Sequence, residues 1–135
     1  MIIPIRYDQG LITTIKSGTV TSSTITKFDA LEWAAGYLQR ADNGTTEVRF
    51  LALEAIATGG ASAHEDIQVL YVDGVEFEVD TNASTAVSDR GVYHDLTNHT
   101  TIDAADSTDK VFYGTEMIGA SGDNKLRGYF VMKTS

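Results

Sequence analysis

The sequence predicts an all-β fold: a small β-barrel or a compact sandwich of short antiparallel strands, with an N-terminal arm or edge strand. Threonine accounts for 17 of the 135 residues, and its β-branched side chain suits extended backbone. Proline occurs once, whereas 12 glycines lie at intervals between short apolar runs. Short β-rich runs separated by glycine-centred turns are typical of barrels and sandwiches, and not of helical or βαβ proteins.

Length and composition indicate a single domain, 1–135, in which 1–18 is a possible N-terminal arm and 19–135 forms the barrel. The formal net charge of −9 disfavours nucleic acid and anionic membranes as partners, because both surfaces repel an acidic protein. No apolar run approaches the roughly 20 residues that span a bilayer, and no signal peptide is visible. The absence of cysteine excludes disulfides and thiolate chemistry.

The first 18 residues are rich in isoleucine, and two interpretations of them stay open. They form either the first strand of the barrel, paired within the chain, or an arm that contacts a neighbouring subunit or another protein. Such an arm would bind by strand addition or by docking in a groove. The apolar members of this segment, which are the candidate contact residues, are Ile2, Ile3, Ile5, Tyr7, Leu11, Ile12 and Ile15.

The segment from Phe28 to Leu38 is compatible with a short helix or with a turn and a strand. Its apolar residues recur every three to four positions, as in a helix, but Gly36 interrupts the pattern. After it, Asp42-Asn43-Gly44 predicts a turn. The strand that follows, 48–56, is apolar on both faces for part of its length, which indicates a central position in a sheet.

Two hairpins are predicted in the second half of the chain. The dipeptide Asp73-Gly74 separates the apolar runs 67–72 and 75–80, which is the pattern of a type I′ hairpin. The runs 110–118 and 125–132 predict a second hairpin across a glycine-containing turn. The apolar residues expected in the core of these strands and of the central strand are Phe50, Leu53, Val69, Tyr71, Val75, Phe77, Val79, Phe112, Ile118, Tyr129 and Val131. The acids expected to face solvent or a partner are Glu76, Glu78 and Asp80.

No residue pattern predicts a catalytic site, a metal site or a cofactor, and the chain is not expected to be an enzyme. The histidines His64, His94 and His99 lack the spacing of a zinc site. The acids around Asp106 lie three residues apart, which does not match a calcium-binding loop. The paired acids Glu76 and Glu78 alternate along one face of a predicted strand, which a solvated face explains.

Several segments together resemble the small β-barrel head decoration, or cement, proteins of tailed bacteriophages. The resemblance covers about residues 28–132. The matching segments are GYLQRA at 36–41, FLALEA at 50–55, the glycine-rich TGGA at 58–61, VLYVDGVEFEV at 69–79, RGVYHDLT at 90–97, VF at 111–112, IGA at 118–120 and LRGYFV at 126–131. All of these are barrel-building segments, and none of them is catalytic.

The resemblance implies a structural virion protein that is made in the host bacterial cytoplasm. Such a protein binds the major capsid protein on the outer surface of the shell and stabilises the capsid. It also implies a homo-oligomer, with a trimer favoured and a dimer possible. Two alternatives stay open: another structural barrel of the virion, in the head–tail region or the tail, and a carbohydrate-binding β module. In the second alternative Trp33, Tyr37 and Tyr93 would stack on sugars.

Overall fold

The computed structural model describes residues 1–17, 24–57 and 64–133, and the glycine-rich motif at 58–61 lies outside these ranges. The fold is all-β, as predicted. The strands are β1 (Ile2–Arg6), β2 (Ile12–Lys16), β3 (Thr24–Ile25), β4 (Ala30–Ala34), β5 (Tyr37–Arg40), β6 (Phe50–Ala52), β7 (Ile56–Ala57), β8 (Asp66–Tyr71), β9 (Glu76–Thr81), β10 (Tyr93–Asn98), β11 (Thr101–Asp103), β12 (Phe112–Met117) and β13 (Lys125–Phe130). Short 3₁₀ turns cover Gln9–Leu11 and Val87–Asp89. Within the described ranges no helix has the length and apolar character needed to cross a membrane.

Five strands close into a barrel. The first sheet has the order β1-β9-β11-β10-β12-β13, and an additional pairing of β13 with β9 joins its ends. Strand β1 lies outside this ring, antiparallel to β9. The second sheet has the order β2-β8-β6-β4-β5, and β3 and β7 form a separate pair. The predicted barrel is therefore confirmed, with a second sheet packed against it.

Two clusters of buried side chains stabilise this arrangement. The larger cluster joins the inner side chains of the barrel, such as Phe77 and Phe112, to Leu51 and Leu70 from the second sheet. The smaller cluster, around Phe50, lies on the other face of the second sheet, so that β6 is buried on both sides. Burial of apolar surface on this scale is the main favourable term in folding.

Six of the predicted core residues are buried, and two predictions are wrong. The buried ones are Phe50, Val69, Val75, Phe77, Val79 and Phe112, while Leu53, Ile118 and Val131 are half-buried. Tyr71 and Tyr129 are exposed, at 44% and 38%. Tyr71 packs its ring against Phe50 of the smaller cluster, with centroids 4.8 Å apart, and Tyr129 points to the outer face of the barrel, where an amphipathic side chain is tolerated.

The predicted hairpin at Asp73-Gly74 is also wrong, although the turn exists. The backbone N–H of Val75 donates to the carbonyl of Val72 at 3.1 Å, and Gly74 has a φ of +77°. The φ angle of Asp73 is not positive, whereas a type I′ turn needs a positive φ at both central residues. The two strands that leave this turn enter different sheets. Strand β8 pairs with β2 and β6, whereas β9 pairs with β1, β11 and β13, so neither has a free edge for the other.

The segment 28–38 forms strands, so the helical alternative is wrong. Strands β4 and β5 pair antiparallel and place Trp33 opposite Leu38. The turn between them holds Ala35 at φ +50° and Gly36 at φ +85°, which is the left-handed pair of a type I′ hairpin. Gly36 therefore ends one strand and begins the next, which explains why it interrupts the helical spacing.

Three other predictions are confirmed. The turn at 42–44 forms, with the carboxylate of Asp42 accepting a hydrogen bond of 2.9 Å from the N–H of Gly44. Strand β6 is central in its sheet, between β8 and β4. Strands β12 and β13 form the predicted C-terminal hairpin.

The N-terminal segment supplies an edge strand to each sheet. Strand β1 pairs with β9 and β2 pairs with β8, so both strands are paired within the chain. Ile2 is fully buried in the larger cluster. If this segment contacts another subunit or protein, as the sequence predicts, the contact is made by those of its side chains that remain exposed.

Candidate functional site

The outer face of the barrel carries a row of three tyrosines, one on each of three adjacent strands. Tyr113 on β12 lies opposite Tyr93 on β10 and opposite Tyr129 on β13. The rings of Tyr93 and Tyr113 have centroids 5.1 Å apart and are tilted by 58°. The ammonium group of Lys110 lies 5.8 Å from the ring centroid of Tyr93. We call Tyr93, Tyr113 and Tyr129 the tyrosine row.

A row of alternating charges runs beside the tyrosine row. Arg127 on β13 lies opposite Glu78 on β9 and opposite Glu116 on β12. The guanidinium of Arg90 lies 3.5 Å from the carboxylate of Glu116, beyond β12. The buried Nε of Arg127 makes no hydrogen bond to any described residue. We call Arg90, Glu116, Arg127 and Glu78 the charged row.

A second group of paired charges, around Asp80, lies at the end of the face. The carboxylate of Asp80 on β9 accepts hydrogen bonds from the ammonium group of Lys125, at 2.8 Å, and from the amino group of Met1, at 2.5 Å. Burial by itself would raise the pKa of Asp80, but these hydrogen bonds and charges outweigh it, and the pKa lies below its usual value. The same contact raises the pKa of Lys125. The three acids predicted to face solvent or a partner thus lie on this outer face, beside basic or aromatic neighbours.

The seven N-terminal candidate residues do not form one surface. Ile3, Ile5 and Tyr7 are exposed, at 38–42%, and we call them the N-terminal surface. Ile3 lies opposite Glu78, so this surface borders the same outer face. The other four candidates are buried or half-buried against the two clusters: Ile2, Leu11, Ile12 and Ile15.

Charge is distributed unevenly over the molecule. The outer face is close to neutral, since its acids are matched by nearby bases, yet the whole chain has a formal net charge of −9. The acids are Glu76, Glu78, Asp80 and Glu116, and the bases are Arg6, Arg90, Lys110, Lys125 and Arg127. All of the net negative charge therefore lies elsewhere on the molecule. A face with aromatic side chains and few unpaired charges is typical of a protein–protein contact.

The histidines are engaged in separate local contacts. The ring of His64 stacks on Tyr37 at 3.7 Å, and His94 is buried with its Nε2 3.1 Å from the carbonyl of Asp89. Burial lowers the pKa of His99, and the buried carboxylate of Asp29, at 3.9 Å, opposes this effect only in part. No group of three potential metal ligands lies together in the part of the chain that the structure describes.

The three aromatic residues expected to stack on sugars in a carbohydrate-binding module, Trp33, Tyr37 and Tyr93, do not lie on one surface. Trp33 and Tyr37 lie opposite Leu38 and Ala34, respectively, so they point to opposite faces of the same hairpin. Tyr93 belongs to the other sheet.

Sequence reasoning missed a second exposed aromatic pair, in which Trp33 and Tyr71 both lean on the buried ring of Phe50. It also missed the tyrosine row. Its residues were visible in the sequence as tyrosines within predicted strands, but only the strand register brings them together.

No protein-family model matches this chain, and no curated protein matches it either.

Proposed function

We propose that this chain is a decoration protein of a tailed bacteriophage capsid. In this role it is made in the host bacterial cytoplasm, binds the major capsid protein on the outer surface of the shell, and stabilises the shell without catalysing a reaction. One observation carries the proposal: the exposed apolar side chains of the N-terminal surface border a nearly neutral face, on a chain whose remaining surface is strongly acidic. The acidic remainder stays hydrated and keeps the protein away from packaged DNA.

The backbone of β1 favours a contact made by side chains over one made by strand addition. The N–H of Asp80 donates to the carbonyl of Met1 at 2.9 Å, so Met1 and Ile3 turn their backbone groups toward β9. Ile2 and Pro4 turn theirs toward the other edge of β1, which pairs with no strand in the described ranges. Since proline has no N–H and its ring occupies that position, Pro4 blocks a further strand there. The shell contact is therefore assigned to the exposed side chains Ile3, Ile5 and Tyr7, which would dock in a groove.

Cosedimentation with capsid shells tests the proposal. The shells are assembled from the major capsid protein encoded nearest to this chain, and the protein is added at increasing concentration. We expect saturable binding, and the double variant Ile3→Ser/Ile5→Ser should bind at least tenfold more weakly. The matched control is Trp33→Ser/Tyr71→Ser, which removes two exposed apolar side chains from the second sheet and should bind like the wild type.

The alternatives predict other outcomes. A protein that does not cosediment with shells but binds tail or head–tail components would be another structural barrel of the virion. Binding to a glycan array together with no binding to shells would identify a carbohydrate-binding module. Either result contradicts the proposed function.

A further inference from the structure

We infer that two copies of this chain form a symmetric dimer by packing the outer faces of their barrels together. The two-fold axis runs parallel to the strands, midway between β12 and β13. This inference does not depend on the proposed capsid role, because it rests on the pattern of side chains across one face of the chain. A two-fold contact requires that the pattern be complementary to its own rotated copy. The central pairs of the two rows, Tyr113 with Tyr129 and Glu116 with Arg127, meet that condition.

The tyrosine row supplies the centre of the contact. Rotation about this axis places Tyr113 over the second copy's Tyr129, and Tyr129 over the second copy's Tyr113. Tyrosines at the centre of a patch, within reach of one another across a sheet-to-sheet spacing of about 10 Å, are typical of residues that dominate protein contacts.

The charged row supplies the specificity. The same rotation places Glu116 over the second copy's Arg127, and Arg127 over the second copy's Glu116. At the axis each of these two charges therefore meets an opposite one, and no like charges meet there.

The distribution of charge over the molecule also favours the outer face of the barrel as the dimer contact. Two copies of a chain with a net charge of −9 repel each other in most orientations. The outer face is nearly neutral, so the repulsion is weakest when the two copies approach through it. An isologous contact of this kind closes at two copies, so it produces a dimer and not a trimer.

Opposite charge reversals at the two residues nearest the axis test the inference. The variants Glu116→Arg and Arg127→Glu are prepared separately, and their masses in solution are measured by sedimentation equilibrium. The wild type should have twice the chain mass of 14.6 kDa, and each variant alone should have the mass of one chain. Mixed in equal amounts, the two variants should form a heterodimer, because each reversed charge then faces an opposite one.

The mixing step separates the dimer contact from effects within one chain. Glu116 and Arg127 are also cross-strand neighbours in the same barrel, so each reversal creates a like-charge pair within the chain. That pair persists in the mixture, and only a contact between chains can be restored by mixing. The control pair Lys16→Asp and Asp66→Lys reverses charges of an ion pair of 2.7 Å on the second sheet, and both variants should remain dimeric.

Four outcomes overturn the inference: a wild type that stays monomeric at its highest soluble concentration, a wild-type trimer, reversal variants that remain dimeric alone, or a mixture that stays monomeric. None of these measurements involves a shell, so failure of the dimer and failure of the capsid role are distinguishable.

Discussion

The buried carboxylate of Asp95 accepts a hydrogen bond of 2.8 Å from the backbone N–H of Asp109, which lies 14 residues further along the chain. The same oxygen accepts a second one, of 2.9 Å, from the N–H of Lys110. The N–H of Asp95 in turn donates to the carbonyl of Asp106 at 2.9 Å. One side chain at the middle of β10 therefore fixes the acidic loop before β12, and with it the position of Lys110 beside the tyrosine row.

Replacing Asp95 by alanine should lower the free energy of unfolding by about 2–3 kcal/mol, because two backbone donors lose a charged acceptor in a buried place. Chemical denaturation measures this change. Asp106→Ala is the matched control, since it removes an exposed carboxylate of the same loop whose strongest hydrogen bonds are local, to Thr108 two residues away. It should cost less than about 1 kcal/mol. Equal losses for the two variants would show that Asp95 does not organise the loop.

Local sequence patterns were sufficient to predict the fold class but not the pairing of strands. The turn at Asp73-Gly74 has the residues of a hairpin, yet β8 and β9 diverge into two sheets. Turn residues determine the backbone dihedral angles of a few positions. The strands that pair with a given strand depend instead on contacts with residues far away in the chain. Where both signals agree, as for β12 and β13, the prediction is confirmed.

The candidate site was less predictable for the same reason. Alternation along β13 separates Tyr129 from Phe130, but it does not tell which of the two is buried. The tyrosine row needs the register of β10, β12 and β13 together, and no single segment contains it. The N-terminal segment was recognised as apolar, but only the pairing of β1 with β9 shows which of its side chains remain exposed.

Replacing Phe77 by alanine should lower the free energy of unfolding by about 3–5 kcal/mol, because its ring is fully buried. The ring contacts that of Phe130 edge-to-face, with centroids 5.1 Å apart, so the substitution leaves a cavity in the centre of the barrel. Equilibrium denaturation in urea measures the loss. Exposed Val87→Ala is the control and should change the stability by less than about 0.5 kcal/mol. An unchanged midpoint for Phe77→Ala would place this side chain outside the core.

The ion pair of Asp80 with Lys125 should make stability depend on pH in the acid range. The folded state holds the pKa of Asp80 below its ordinary value of 3.8, so the stabilisation is present above that pH and disappears as the pH falls through the lowered pKa. Asp80→Asn should therefore be less stable than the wild type at neutral pH, and the two should converge in acid. Denaturation between pH 2 and pH 7 measures the difference.

Asp73→Asn is the control for that series, since it removes an exposed carboxylate from the turn after β8. Its stability relative to the wild type should stay the same across the range. A constant difference between Asp80→Asn and the wild type, from neutral to acid pH, would contradict the role assigned to the ion pair.

Replacing Ala35 by asparagine should stabilise the protein by about 0.5–1 kcal/mol, because Ala35 adopts a φ of +50°, where asparagine is strained less than alanine. The change produces Asn-Gly, the preferred dipeptide of a type I′ turn, between β4 and β5.

Gly36→Ala should have the opposite effect, a loss of about 1 kcal/mol, since Gly36 has a φ of +85°. A methyl group at Gly36 would meet nothing within 4 Å, so the loss would come from backbone strain alone. Thermal denaturation of both variants measures the effects, and two variants as stable as the wild type would mean that the turn is not left-handed at these residues.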